Sequence, residues 1–392
     1  MTPAAGSTAV KGRFVIDARY VASKPSGIGR YAEALIERLP GLAPEQPFEL
    51  WTHPERPRPV TFANVRCVPV AAPADGLRTL LTPQLLGQLR PSDVIHFPFN
   101  LLGRRLPCAT VVTIHDLMWL ERPELVERRP LMRRVRQHYY QQGMRWALTR
   151  ATRLIAISEA TRARMVAIVP ECAERVRVTH NAADARFAPA SDAQAAARSA
   201  ARILGSEAPF YLVVGKNEPY KGHELAIEAF ARGSREDELL VLIQRTSGAE
   251  GLGQLAERLG VTQRLRFLPV VTADDLVSLL QSARALLQPS IVEGFGIPAL
   301  EAMACGCPVI GSDTPALVEV LGGAGLHAKV GDAAALAEAL TRLRADGLAA
   351  ELRRRGLARA LDFSWERTAS DTLEVYRDAA AAYAAQRSKG AR

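Results

Sequence analysis

The chain has 392 residues, 48% hydrophobic and 23% charged, with a net charge of +9, which excludes a largely disordered protein and exceeds what one ordinary core accommodates. Two α/β domains of roughly 150 to 200 residues each fit this length, and two domains imply a cleft. No run approaches the ~20 uninterrupted apolar residues that span a bilayer, and the start, MTPAAGSTAVKGRFV, lacks the apolar core of a secretion signal, so a cytoplasmic location is expected.

A strand-like run from Arg13 to Asp17 leads through KPSGIGRYAEALIERL, a Gly-containing turn, into an amphipathic helix. Within PSGIGRY, residues 25–31, Gly27, Gly29 and Arg30 form a short Gly-rich turn after the first strand. That is a phosphate-loop signal on one reading and a plain turn on the other. Apolar runs recur at 48–51, 65–70, 94–97, 110–114 and 153–157, and their alternation with helical or loop segments predicts a parallel sheet with helices on its faces. TIHDLMWLERPE, 113–124, places His115 and Asp116 directly after an apolar strand, where open α/β sheets bind ligands; a structural histidine is the alternative.

From Arg122 to Arg153 nine arginines are interspersed with aromatic residues, and residues 1–190 carry 27 Lys/Arg against 16 Asp/Glu. Residues 191–392 carry 23 against 25, so the halves stand at +11 and −2. Such a stretch serves nucleic acid, an anionic membrane surface or a phosphorylated substrate, or is a solvated helix face. The Ala-rich segment 191–209 reads as a helix and short linker with a hinge near Glu207. The pattern then restarts at FYLVVG, 210–215, with a helix from Gly222 to Ala231 and strands at 239–243, 265–267 and 285–287. The predicted organisation is a first domain at 1–190, a linker at 191–207 and a second doubly wound domain at 208–365.

The most specific segment is SIVEGFGIPALEAMACGCPVI, 290–310. Gly294 and Gly296 let the backbone approach a ligand, and Pro298 suits the first turn of a helix. A helix N-terminus favours phosphate, yet Glu293 stands before it and Glu301 about one turn inside; carboxylates there are better explained as acceptors for sugar and ribose hydroxyls. Five cysteines, at 67, 108, 172, 305 and 307, are odd in number and without metal-ligand spacing, so they read as reduced thiols.

This segment resembles the donor-site signature of glycosyltransferase family 4, two Glu seven residues apart within an EGFG…EAMA…G-PV run. The resemblance implies that Glu293 contacts a donor sugar, Glu301 the ribose, and the Phe295 and Gly296 amides the diphosphate. VVGKNEPYKGHELAIEAF, 213–230, is similar to the family's stretch that supplies two basic residues to the diphosphate, here Lys216 and Lys221. Fixed cations there would stabilise the leaving group without a metal. The first position is commonly Arg, so Lys216 keeps the charge and loses the bidentate geometry. By the same resemblance Gly27, Gly29 and Arg30 approach donor phosphate and acceptor, and His115 lies near the donor sugar, as in the family's polysaccharide mannosyltransferases.

Further similarity at 154–165, 178–189 and 363–380 extends the resemblance from Phe14 to Tyr376 and implies that a C-terminal helix, 366–392, crosses back onto the first domain. The implied fold is GT-B, two Rossmann-like doubly wound domains facing a cleft. The implied activity is a retaining hexosyl transfer, with mannose from GDP-mannose and a lipid-linked saccharide or polysaccharide acceptor favoured, and peripheral attachment to the cytoplasmic face of a membrane through 122–153. A UDP-sugar donor with a small soluble acceptor is the alternative within the class. A noncatalytic sugar-nucleotide-binding or nucleic-acid-binding protein is the alternative outside it, although no nucleic-acid reading module is recognisable. The chain holds no Asp-X-Asp triplet, so neither a catalytic metal nor a cofactor is expected.

Overall fold

The computed structural model describes residues 10–21, 27–55, 61–127, 129–244, 249–269 and 271–390. The chain divides into two compact units, the first holding residues 1–123, 127–181 and 365–392, the second 124–126 and 182–364.

The first unit is a seven-stranded sheet of β1 (Phe14–Asp17), β2 (Phe48–Thr52), β3 (Val65–Pro69), β4 (Val94–Phe97), β5 (Ala109–Ile114), β6 (Arg153–Ala156) and β7 (Val176–Val178), in the order β3-β2-β1-β4-β5-β6-β7. Every pairing is parallel. β1, β4 and β5 are buried at every position, which is why they read as near-continuous apolar runs without alternation. Strand order reverses between β1 and β4, so the loops leaving their carboxyl ends diverge and open a crevice there.

The C-terminal helix, Trp365–Gly390, belongs to this unit. Trp365, Ala369, Leu373 and Tyr376 recur at helical spacing and are buried, with the Tyr376 ring edge-on to Phe14 at 5.1 Å. Arg153 Nε and Nη2 donate to the two carboxylate oxygens of Asp378 at 2.7 and 3.0 Å.

The second unit is a six-stranded parallel sheet of β8 (Phe210–Val214), β9 (Leu239–Ile243), β10 (Leu265–Leu268), β11 (Ala285–Gln288), β12 (Val309–Ser312) and β13 (Leu326–Ala328), in the order β10-β9-β8-β11-β12-β13. Tyr211, Ile227, Phe230, Leu240 and Leu287 lie at the centre of its core. The reversal falls between β8 and β11.

The segment expected to act as a linker at 191–207 is built into this unit. Asp192 caps the helix Ala193–Leu204 by accepting from the Gln194 and Ala195 amides, and Ala196, Ala200 and Leu204 bury one stripe against the helix Ala273–Ser282. The Ala-rich part is the helix read from the sequence, and its alanines are packing residues of the second unit. The chain passes between units near Asn181 and again near Ser364.

Candidate active site

β8 and β11 are parallel neighbours, with Leu212 opposite Leu286, so the loops at their carboxyl ends start side by side although about 75 residues separate them. The Ile291 amide donates to the Tyr220 carbonyl at 2.7 Å and ties the loops together. Gly222 makes this approach possible: its φ is +69°, and a Cβ there would sit 2.2 Å from the Pro289 carbonyl oxygen.

Between these loops Lys221 Nζ donates to Glu293 Oε2 at 2.8 Å, and Gln288 Nε2 and Ser290 Oγ donate to the same oxygen at 3.1 Å each. A carboxylate only accepts, so the Gln288 amide must turn its NH₂ toward Glu293. Burial pushes the Glu293 carboxyl upward, but the Lys221 charge and the three hydrogen bonds outweigh it and hold the group below its ordinary range. Glu293 is therefore ionised at neutral pH and fixed in orientation. Ser290 is held in turn, its carbonyl accepting from Ser312 Oγ at 2.5 Å.

Gly296, at φ +108°, caps the helix Ile297–Ala304, with Pro298 in its first turn. A Cβ at Gly296 would lie 2.6 Å from Leu317 Cδ2. Phe295 is buried and its ring meets Phe363 edge-on at 5.7 Å, which anchors the backbone leading into the helix N-terminus. Glu301 is buried one turn inside the helix. Lys221 and Glu293 are thus brought into contact, whereas Lys216 stands exposed on the same loop, its carbonyl accepting from the Glu218 amide at 2.9 Å.

Cys305 and Cys307 are buried free thiols that burial pushes up to about 12, so both are protonated at neutral pH and serve packing. Among the described residues no group of three or more His, Cys, Asp or Glu is placed to hold a metal ion.

In the first unit His115 follows β5 and is buried. Its amide donates to Asn100 Oδ1 at 2.7 Å, and its Nε2 lies 3.0 Å from the Pro98 carbonyl, which can only accept. Nε2 therefore carries the proton. Burial lowers the imidazole to about 4, against a smaller opposing effect of the Pro98 bond, so the ring is neutral. Behind it runs a buried polar chain: Tyr376 Oη to His96 Nδ1 at 2.6 Å, His96 Nε2 to Thr113 Oγ1 at 2.7 Å, and Thr113 Oγ1 to Tyr31 Oη at 2.9 Å. The Tyr31 ring stands edge-on to His115 at 5.1 Å. Asp116 Oδ1 accepts from the Met118 amide at 3.1 Å. Gly27 opens the helix Gly27–Ile36, with Gly29 buried and Arg30 half-buried within it; Pro25 and Ser26 of the same motif lie outside the described residues.

Sequence reasoning missed Gln288 and Ser290 as the groups that orient Glu293, and Asn100 with the His96–Tyr376 chain as the support of His115. A polar residue within an otherwise apolar strand, the glutamine that ends ALLQ and the histidine inside VIHF, is the signal that marks Gln288 and His96.

Two doubly wound parallel sheets with candidate residues at the carboxyl ends of their strands, in the second unit beside the strand-order reversal, define the GT-B class of folds. The solved sucrose-phosphate synthase from Thermosynechococcus elongatus superposes with a TM-score of 0.75 at 22% identity, covering 95% of this chain and all of that one. WaaG, a glycosyltransferase involved in lipopolysaccharide biosynthesis, superposes at 0.70 and 16% identity, covering 93% of this chain and 99% of its own.

The family model for glycosyltransferase family 4 matches residues 25–187 and that for glycosyl transferases group 1 matches 199–360. The O-antigen chain mannosyltransferase B of Escherichia coli is 32% identical over 293 residues, 72% of this chain and 74% of that protein. This chain belongs to glycosyltransferase family 4. The D-inositol 3-phosphate glycosyltransferase of Salinispora arenicola (strain CNS-205) is 36% identical over 265 residues, 63% of this chain, and the match spans 59% of that relative's length.

Proposed function

We propose that this chain is a retaining glycosyltransferase that moves a hexose, mannose from GDP-mannose as the first choice, to a lipid-linked saccharide or polysaccharide acceptor. The observation that carries the reading is the Lys221–Glu293 contact, a fixed cation and a fixed hydroxyl acceptor held together at the strand-order reversal. Lys221 and Lys216 neutralise the diphosphate, the Phe295 and Gly296 amides receive it, and Glu301 accepts from the ribose. Glu293 and neutral His115 take hydroxyls of the transferred sugar; Gly27, Gly29 and Arg30 serve phosphate and acceptor. Glu293 already accepts three hydrogen bonds on one oxygen, which suits a positioning group better than a nucleophile. The leaving diphosphate then takes the acceptor's proton on the same face of the sugar, with positioning and electrostatics supplying most of the rate.

The mannosyl assignment rests on the likeness to O-antigen chain mannosyltransferase B. A second reading is a UDP-sugar donor with a small soluble acceptor; its acceptor half is supported by the higher identity to D-inositol 3-phosphate glycosyltransferase over a shorter stretch. Purified protein incubated with a panel of nucleotide sugars, with and without EDTA, separates them by released nucleoside diphosphate. Release from GDP-mannose that EDTA leaves intact is expected, since two lysines and helix amides replace a divalent ion. Preference for a UDP-sugar supports the second reading, and a loss restored by added Mg²⁺ or Mn²⁺ overturns metal independence. We place the protein at the cytoplasmic face of a membrane, held peripherally through 122–153. Among the described residues no helix is long and apolar enough to cross a bilayer.

A further inference from the structure

In GIGRY, residues 27–31, Tyr31 is the one side chain that is fully buried. Three rings close on it: His115 edge-on at 5.1 Å, His96 edge-on at 6.4 Å and Trp365 tilted at 6.3 Å. Its hydroxyl meets Thr113 Oγ1 at 2.9 Å. Thr113 lies in β5 and His115 just past its end, two residues on, so side chains at these positions share a face. Tyr31 spans that face, its hydroxyl on Thr113 and its ring against His115.

Counting protons gives the direction of the bonds behind it. Burial lowers His96 to about 3, so its ring is neutral and carries one N–H. Among the described residues Tyr376 Oη bonds His96 Nδ1 alone, at 2.6 Å. With the proton on Nδ1, the buried Tyr376 O–H would have no acceptor, a penalty the other tautomer avoids. Nε2 therefore donates to Thr113 Oγ1, and Thr113 donates on to Tyr31 Oη. Tyr31's own proton has the neighbouring Thr179 hydroxyl, buried and otherwise unpartnered, as its acceptor. His115 is held in turn on three sides: Asn100 takes its amide, Pro98 takes Nε2–H, and the Tyr31 ring closes one flank. Nδ1 is left as an acceptor, and a ring free to turn about its Cβ–Cγ bond would present a C–H in its place.

We infer that Tyr31 is a positioning residue for the transfer step: its ring keeps the His115 Nδ1 lone pair aimed at a hydroxyl of the transferred sugar, and the Thr113–His96–Tyr376 chain keeps the ring in place. This rests on the reading of His115 as a donor-sugar contact. A nucleotide sugar bound mainly through its diphosphate keeps its affinity when one sugar hydroxyl loses its partner, so the loss falls on kcat. Through Tyr376 and Trp365 the C-terminal helix supports this geometry from behind.

Nucleoside diphosphate release by the full chain, with GDP-mannose and with UDP-glucose, gives kcat and KM. Tyr31→Phe keeps the ring and should hold kcat within about twofold of wild type, whereas Tyr31→Leu opens one flank of His115 and should lower kcat about tenfold, with KM within about twofold in both. Imidazole nitrogen spectra of protein carrying isotopically labelled histidine give a reading that does not depend on turnover, the His115 signal being the one that His115→Gln removes. In wild type and Tyr31→Phe it is expected as the Nε2–H tautomer, titrating near 4; in Tyr31→Leu it should show both tautomers and titrate nearer the ordinary 6.5. Thr113→Val, of the same shape, removes the hydroxyl that anchors the Tyr31 ring and should give part of the same change. A role in packing alone would move unfolding midpoints and leave the His115 signal as it is. An unchanged His115 signal in whichever of Tyr31→Leu and Thr113→Val folds, or a loss that falls on KM with kcat intact, overturns the inference. If wild type turns over neither donor, the reading of His115 as a donor contact fails, and the His115 signal still decides whether Tyr31 positions the ring.

Discussion

Lys221 keeps Glu293 ionised against the cost of burying it. The two side chains are 20% and 12% exposed, so the pair is little screened, and removing one partner strands the other charge. Lys221→Met should destabilise the protein by about 3 kcal/mol, and adding Glu293→Gln, which removes the stranded charge, should restore most of it. Denaturant unfolding of the single and double variants is the check; a double variant as unstable as the single one would show that charge pairing is not what Lys221 provides. The buried histidines define a second prediction. Burial lowers His96 to about 3 and His115 and His223 to about 4, so all three are neutral in the fold, while the unfolded chain takes up protons near pH 6.5. Their contribution is complete above that pH and is lost as pH falls through 6.5 toward the folded values, by about 1.4 kcal/mol per pH unit per histidine. Urea midpoints should therefore drop steadily below pH ~6.5, and His96→Gln should flatten the slope by about one proton; an unchanged slope would mean that His96 is not neutral in the fold.

At the scale of elements, the loops after β8 and β11 depend on Gly222 for their contact. Gly222→Ala adds left-handed strain and a methyl group 2.2 Å from the Pro289 carbonyl, so the loops must separate. Gly205→Ala is the control: φ is +62° there, but a Cβ would meet nothing within 4 Å. Both variants should lose about 1 kcal/mol through strain, and only Gly222→Ala should also lose affinity for nucleoside diphosphate, about tenfold by calorimetry. Equal affinities in the two variants would detach the loop contact from donor binding. The apolar runs of β1, β4, β5, β8, β9 and β11 were legible in the sequence because burial on both faces removes polar interruptions, and EGFG with its following helix was legible because glycine and proline mark the turn. β7, β12 and β13 were not: Arg177 interrupts the three residues of β7, and the last two carry Gly311, Ser312 and His327. The Lys221–Glu293 contact was hidden for another reason, since Lys221 reaches Glu293 only because β8 and β11 are neighbours. Likewise the raw count of arginines overstated the free charge, because Glu127 is buried and takes two of them.

For the whole molecule the decisive feature is the order in which the chain is used, first unit, second unit, then a return of Trp365–Gly390 to the first. The first sheet is therefore completed by the last helix made. That helix buries Trp365, Leu373, Val375 and Tyr376, and its Tyr376 hydroxyl bonds His96 in the interior of β4. At about 1.5–3 kcal/mol for each large side chain, its removal takes away roughly 6–12 kcal/mol, comparable with the 5–15 kcal/mol that stabilises a typical domain. The second unit has its own sheet and core and contributes nothing to that loss. A chain ending at Ser364 should consequently lose amide-exchange protection in β1, β4 and β5 while β8, β9 and β11 stay protected. Because Lys221, Glu293, Gly296 and Glu301 all lie in the second unit, the truncated chain should still bind nucleoside diphosphate in calorimetry, about tenfold more weakly for want of the phosphate contacts proposed for Gly27, Gly29 and Arg30, yet transfer no sugar. Protection lost from both sheets together would show that the two units fold as one. Nucleotide binding abolished with β8 and β11 still protected would show that the first unit, not Lys221 and the helix amides, carries most of the diphosphate's affinity.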